Sequence, residues 1–248
     1  MSYLDISTRA PSEFDKGETR KKTKALIKEL KELQNVLYAS SKYGLLIVLQ
    51  GMDASGKDGT IRNVFGPINP QGVKVKSFKK PTDREYAQDF LWRVHQHTPQ
   101  HGVIQLFNRS HYEDILVPTV FKIFEQKFID ERYGLINSFE SLLAHQNCVI
   151  LKFYLHVSRE EQAVRLSERV ERPEKHWKHN PKDIEVAKKW DDFKKVYERI
   201  FEKCGPDFPW HIIPADNKWY RNYLIAKTVV EKLRSLNLSY PEMKAEDL

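Results

Sequence analysis

From residue 19 to about residue 40 the apolar side chains Leu26, Ile27, Leu30, Leu33 and Leu37 recur at helical spacing among lysines and glutamates. That spacing predicts an amphipathic helix with a solvated basic face. The pattern then changes abruptly. Leu45-Leu46-Ile47-Val48-Leu49 is apolar at every position, as a strand buried on both faces must be. Four more strands are expected at 73–78, 103–107, 149–157 and 211–213, and helices over about 57–65, 83–97, 112–124 and 131–146. Strand and helix in alternation predict an α/β fold, a parallel sheet flanked by helices on both faces. Residues 1–18 are polar and are expected to be loosely ordered.

A charged excursion separates the fourth and fifth strands, from Ser158 to about Cys204. Ser158-Arg159-Glu160-Glu161 is a capping-box signature for a helix start. Pro173 breaks that helix, and Asn180-Pro181 precedes a second one that ends near Gly205-Pro206. The expectation is one domain over 1–248, with a helical lid inserted at about 158–205.

The strongest chemical signal is Gly51-Met52-Asp53-Ala54-Ser55-Gly56-Lys57, directly after the first strand. Glycines at the two ends permit a tight loop whose N–H groups cradle phosphate oxygens, with Ala54 and Ser55 between them and Lys57 reaching the transferred group. The helix that follows adds its positive end. Asp58 stands where a Ser or Thr hydroxyl normally ligates Mg²⁺. The metal must find other ligands, and Asp53 inside the loop is the first candidate.

In such sheets ligands gather at the carboxyl ends of the strands. The third strand runs into Asn108-Arg109-Ser110-His111-Tyr112-Glu113-Asp114. Asn108 occupies the usual metal-orienting position without a charge. Arg109 can clamp phosphate bidentately, and Glu113 or Asp114 can restore the missing acid within one helical turn. Lys79 and Lys80 close the second strand, beyond Lys74 and Lys76, and the lid carries Arg165, Arg169, Arg172, Lys175 and Lys178. Arg165, Arg169 and Arg172 share one helical face. Two basic clusters flanking a phosphate loop predict a polyanion track.

Charge sharpens this picture. The net charge is +7 with an isoelectric point near 9.2, which calls for an anionic partner. No run of apolar residues is long enough to span a membrane, and the expected setting is the cytoplasm. Cys148 and Cys204 are far apart and form no CxxC pair, and Cys148 reads as a small buried hydrophobe. His95, His97, His101, His176 and His179 lack companions at metal-site spacing and read as surface residues, not zinc ligands.

The loop, the 107–114 segment, the run Glu168-Arg169-Val170-Glu171-Arg172-Pro173-Glu174-Lys175-His176-Trp177-Lys178 and Pro214-Ala215-Asp216-Asn217-Lys218-Trp219-Tyr220-Arg221-Asn222 together resemble the polyphosphate kinase 2 family. The resemblance covers about residues 13–236. It implies a P-loop kinase-like domain with a helical lid, acting with Mg²⁺ on inorganic polyphosphate and on adenine and possibly guanine nucleotides. The Asn-Arg-Ser-His-Tyr-Glu-Asp form resembles the class III-like branch that phosphorylates both AMP and ADP. By motif match Asp53 and Lys57 take the family's loop roles and Arg109 its phosphate-binding role. Gly51, Ala54, Ser55, Gly56, Asp58, Lys79, Lys80, Arg169, Arg172 and Lys175 are the expected phosphate and polymer contacts. Asn108 and Glu113 mark the acceptor region, with Asp53 and Glu113 on the metal. Expected partners are these substrates and further copies of the chain, with neither nucleic acid nor membrane. Two rivals stand beside this reading. One is an ATP-dependent nucleoside monophosphate kinase on the same fold, and the other a non-catalytic basic nucleic-acid-binding protein.

Overall fold

The computed structural model describes residues 2–178, 180 and 182–242, with Lys182 and Ile184 described by backbone alone. His179 and Pro181 of the expected lid lie outside the described residues. Five strands, β1 (Gly44–Gln50), β2 (Val73–Ser77), β3 (Ile104–Asn108), β4 (Cys148–His156) and β5 (Trp210–Pro214), form one sheet in the order β2-β3-β1-β4-β5. Every neighbouring pair is parallel. β1 lies in the middle and is buried at all seven positions, which is why its sequence is apolar on both faces. The switch in strand order on either side of β1 opens a crevice at its carboxyl end, where the glycine-rich loop begins.

The helices are α1 (Lys16–Ser40), α2 (Lys57–Thr60), α3 (Asp83–Tyr86), α4 (Trp92–His95), α5 (Glu113–Val120), α6 (Gln126–His145), α7 (Arg159–Glu171), α8 (Lys182–Lys188), α9 (Trp190–Lys203) and α10 (Lys218–Ser235). α1 packs along α10, burying Leu30 and Leu37 from one and Ile225, Val229, Val230 and Leu233 from the other. α5 packs against α6 and α9. No helix among the described residues is long and apolar enough to cross a membrane.

Several expectations need correction. The expected 83–97 helix is two single turns, because Asp89 accepts from the Leu91 N–H at 2.9 Å and starts a second turn instead of continuing the first. The 57–65 segment begins as α2 and continues as one wide π-turn over Ile61–Phe65. α6 begins five residues earlier than its pattern suggested. The N-terminal stretch is tied down. Leu4 is buried, Glu198 accepts from the Tyr3 and Leu4 N–H groups at 2.9 Å each, and Thr8 donates to Asp216 at 2.7 Å. At α7 the Ser158 cap forms at 3.1 Å, but the Glu161 carboxylate turns to Arg165 at 2.8 Å and Ser158 N–H donates to Asp216 instead.

The segment 158–205, expected as a lid, holds α7, α8 and α9. α9 buries Phe193, Val196, Tyr197, Ile200 and Phe201. At roughly 1.5–3 kcal/mol per fully buried side chain, that face anchors α9 to the core. Before α9 the segment holds α7, a 3₁₀ segment (Pro173–Lys178), whose Lys178 pairs with Asp58 at 3.4 Å, and α8.

Candidate active site

β1 delivers the chain to Gly51 at φ 145°, and the loop turns again at Ala54 (φ 59°) and Gly56 (φ 107°). Space as well as conformation demands glycine at Gly56, where a Cβ would lie 1.9 Å from Arg221 Nη1. Two buried guanidiniums hold the carbonyl side of the loop. Arg165 donates to the carbonyls of Ala54 and Ser55, each at 3.0 Å, and to those of Ala215 and Asp216 at 2.7 and 2.9 Å. Arg221 donates to the Ser55 carbonyl at 3.2 Å, and burial together with the Arg165 charge pushes its pKa down. The Ser55 N–H is taken by the Met52 carbonyl at 3.1 Å. The N–H groups of Asp53, Ala54 and Gly56 donate to no acceptor among the described residues and remain for a ligand. Arg165 was expected on a polymer track with Arg169 and Arg172; it is instead a buried clamp, and Arg172 follows the last turn of α7.

Lys57 is buried and donates to the Gly51 and Met52 carbonyls at 2.8 and 3.1 Å. Burial, reinforced by the Arg109 charge, pushes its ammonium down to about 8 against the pull of Asp53, Glu113 and Asp58. Asp53 pairs with Arg109 at 2.5 Å. Burial works to raise the Asp53 carboxyl, but Arg109, Lys57 and Arg169 outweigh it and hold it below its ordinary value. Glu113, partly buried, is pushed up by burial against the cations Arg109 and Lys57. Gln50 fixes it: with its amide nitrogen toward Glu113, Gln50 donates to Oε1 at 3.1 Å and accepts from Ser110 Oγ at 3.0 Å.

The structure therefore brings Asp53, Lys57, Arg109 and Glu113 together. Arg109 itself sits at φ 60°, a conformation costing an L-residue about 1–2 kcal/mol, with its N–H bonded to the Leu49 carbonyl at 3.0 Å. Asn108 and Asp58 form one unit, since Asn108 Nδ2 donates to Asp58 Oδ1 at 2.7 Å. The acid absent from the end of β3 is supplied from the start of α2. Burial opposes its charge, but the Asn108 hydrogen bond and Lys178 hold Asp58 below its ordinary pKa. Asp114, the other acid considered, is taken by Arg93 at 2.9 Å.

The remaining cations divide. Arg169 pairs with Asp183 at 2.7 Å and still acts on Asp53. Arg172 and Lys175 share Glu168, at 3.2 and 2.5 Å. Lys79 and Lys80 are exposed past the end of the edge strand β2 and line neither of the two clefts described below.

The first cleft, about 90 Å³, runs from Gly51, Asp53, Arg109 and Glu113 to an apolar wall that includes Leu116, Phe121, Trp190 and Phe193. The second, about 570 Å³, is lined by Arg20, Lys21, Lys24 and Lys218 with Asn63, Trp219 and Asn222. None of those four cations forms an ion pair among the described residues. The second cleft lies beside the helix that follows the loop: Asn63 on its wall donates to the Gly59 carbonyl of α2 at 2.6 Å, and its Asn222 is the neighbour of Arg221, which lies under Gly56. Sequence reasoning missed this groove because its cations come from α1 and α10, which the pattern marked as a solvated face or left unread. It also missed the α9 aromatics, whose 190, 193, 197 spacing is a helical stripe that could have been followed.

A parallel sheet with a clamped phosphate loop and a facing carboxylate–arginine pair defines a P-loop phosphotransferase. A family model for polyphosphate kinase 2 matches residues 13–241, and the chain belongs to that family. An AMP/ADP-polyphosphate phosphotransferase of Meiothermus ruber is 47% identical over 218 residues, covering 88% of this chain and 82% of the relative. An ADP-polyphosphate phosphotransferase of Rhodopseudomonas palustris is 39% identical, covering 87% of this chain and 79% of its own. The crystal structure of polyphosphate kinase 2 from Arthrobacter aurescens TC1, 35% identical, superimposes with a TM-score of 0.94 over 98% of this chain and 89% of its own.

Lys57→Met and Asp53→Asn should each lower kcat by about 10²-fold or more, the scale of losing one preorganised charge contact. Near-normal turnover by either folded variant would contradict the site. Proton linkage gives a second check. Near pH 8 the Lys57 ammonium is half deprotonated in the free protein, while phosphate contact favours the charged form. Binding of tripolyphosphate just above that pH should take up a proton, and affinity should fall as pH rises further. Calorimetry in buffers of different ionisation heat reads the uptake, and Lys57→Arg should abolish it.

Proposed function

We infer that the chain moves the terminal phosphoryl group of inorganic polyphosphate onto nucleoside mono- and diphosphates, AMP to ADP and ADP to ATP. Two unlike clefts, one lined by the phosphate loop and the other beside the helix that follows it, carry this reading. The larger is open, basic and unpaired, suited to successive phosphates of a linear polyanion. The smaller joins charged groups to an apolar, aromatic wall; at about 90 Å³ it is suited to a nucleotide's phosphate facing Arg109, with the nucleoside lying outside it along Trp190 and Phe193. The names of the relatives, which include AMP/ADP- and GDP-polyphosphate phosphotransferases, support both halves.

In the reaction an ionised phosphate oxygen of the acceptor attacks the donor's terminal phosphorus. The bond to the bridging oxygen breaks, and the polymer departs one unit shorter with the charge on its new terminal oxygen. Such a transfer needs alignment and charge neutralisation more than a strong base. Loop N–H groups, Lys57 and Arg109 provide the neutralisation, and Asp53 holds Arg109 in place. Mg²⁺ would be held by Asp53 and Glu113, two carboxylates that line one cleft. A cation held by one or two carboxylates takes its other ligands from phosphate and water. When bound it would neutralise charge on the phosphates beside Asp53 and Glu113.

An ATP-dependent monophosphate kinase has no use for the unpaired groove. ATP formation from ADP with polyphosphate as sole donor separates the readings, and its absence would refute this one. Lys24→Ala and Lys218→Ala should weaken the polymer with little effect on ADP, each flattening the salt dependence by about 1 in log–log slope. If Lys79→Ala/Lys80→Ala does this and the groove variants do not, the polymer runs past the end of β2.

Glu113→Gln should damage AMP phosphorylation more than ADP phosphorylation. AMP is one phosphate shorter, so its oxygen must be drawn deeper, by Arg109 and by the cation that Glu113 would hold, whereas ADP reaches the donor with its second phosphate. Steady-state kinetics on both acceptors decide; equal losses, or none, would place acceptor choice elsewhere.

A further inference from the structure

Behind the 109–113 turn lies a buried polar cluster that the transfer chemistry does not touch. His111 and Tyr112 are fully buried, as are Glu140 on α6 and Lys152 on β4. The Tyr112 hydroxyl donates to Glu140 Oε1 at 2.8 Å and accepts from Lys152 Nζ at 2.9 Å. Lys152 also donates to Glu140 Oε2 and to the Cys204 carbonyl just past α9, each at 2.6 Å. His111 Nε2 lies 3.3 Å from Glu140 Oε1. All three ammonium protons and both carboxylate oxygens are therefore used.

Stability alone does not explain such a cluster. A buried ion pair gains little over an apolar pair of the same volume, because desolvation offsets the attraction. What it does supply is direction, since several charged hydrogen bonds to one hydroxyl leave Tyr112 a single position. Tyr112 is the residue before α5, with Glu113 next to it and Arg109 three residues back. Through the Cys204 carbonyl the same ammonium grips the end of α9, whose Trp190, Phe193 and Tyr197 line the other side of the smaller cleft. One buried cation thus ties the two walls together.

We propose that Tyr112, Glu140 and Lys152 are positioning residues that fix the 109–113 turn against α9 and thereby align the acceptor phosphate. This rests on the acceptor lying in the smaller cleft. The test pairs two variants. Glu140→Leu/Lys152→Met replaces the ion pair by apolar side chains but leaves the Tyr112 hydroxyl, the Cys204 carbonyl and His111 Nε2 without these partners, so it should melt lower than the wild type. Measured well below that melting range, its kcat with ADP should fall by about 10²-fold, the scale of a displacement near 1 Å. The polyphosphate KM should stay within about twofold, since the donor groove is untouched. Tyr112→Phe should lower kcat in the same direction. A folded double variant with wild-type kcat overturns the proposal. So does a Tyr112→Phe enzyme that melts lower but turns over normally, because a purely structural cluster would move stability alone. If the double variant does not fold, Tyr112→Phe decides. Wild-type turnover in the same assay keeps the two readings apart: its absence refutes polyphosphate transfer, while its presence beside unimpaired variants refutes the positioning role alone.

Discussion

A phosphate loop must aim its N–H groups at one point and turn its carbonyls away, and here two buried guanidiniums enforce that arrangement. Arg165 comes from α7 and Arg221 from α10, and both end on the carbonyl of Ser55. Because α7 follows β4 and α10 follows β5, the loop's shape depends on the completed sheet. The clamp also concentrates positive charge under the loop, where Lys57 already loses part of its hold on a proton. Carbonyl dipoles, Asp53, Asp58 and Glu113 make that density tolerable, and an incoming phosphate finds a site where it is electrostatically needed.

On this frame the two clefts acquire different chemistry from different layers. α1 and α10 pack together through their apolar faces and leave Arg20, Lys21, Lys24 and Lys218 unpaired at one end. α5 and α9 build the other cleft, where an aromatic wall ends in Asp53, Arg109 and Glu113. Gly51, Met52 and Asp53 of the loop line the aromatic cleft, while the basic one lies along α1 and α10.

Much of this was legible in the sequence. β1 announced itself by five consecutive apolar residues, and the loop by its glycines and Lys57, because local backbone geometry dictates those residue types. The charges proved harder. Arg165 and Arg169 stand one turn apart on the same helix, yet one is a clamp under the loop and the other pairs with Asp183 on α8; spacing gives a shared face but not what lies opposite it. Asn108 looked like a missing acid because its partner Asp58 is fifty residues away. α9 read as lid because its charged residues are as prominent in the sequence as its buried stripe. Lys152 sits in a strand as an apparent interruption, and only the tertiary structure reveals its three acceptors.

The central claim is that polymer and nucleotide occupy separate clefts at the same time and exchange a phosphoryl group directly across the loop. Initial rates measured over a grid of polyphosphate and ADP concentrations test it. Direct transfer in a ternary complex predicts double-reciprocal lines that intersect. Parallel lines, the mark of a phosphorylated enzyme formed before the acceptor binds, would contradict it.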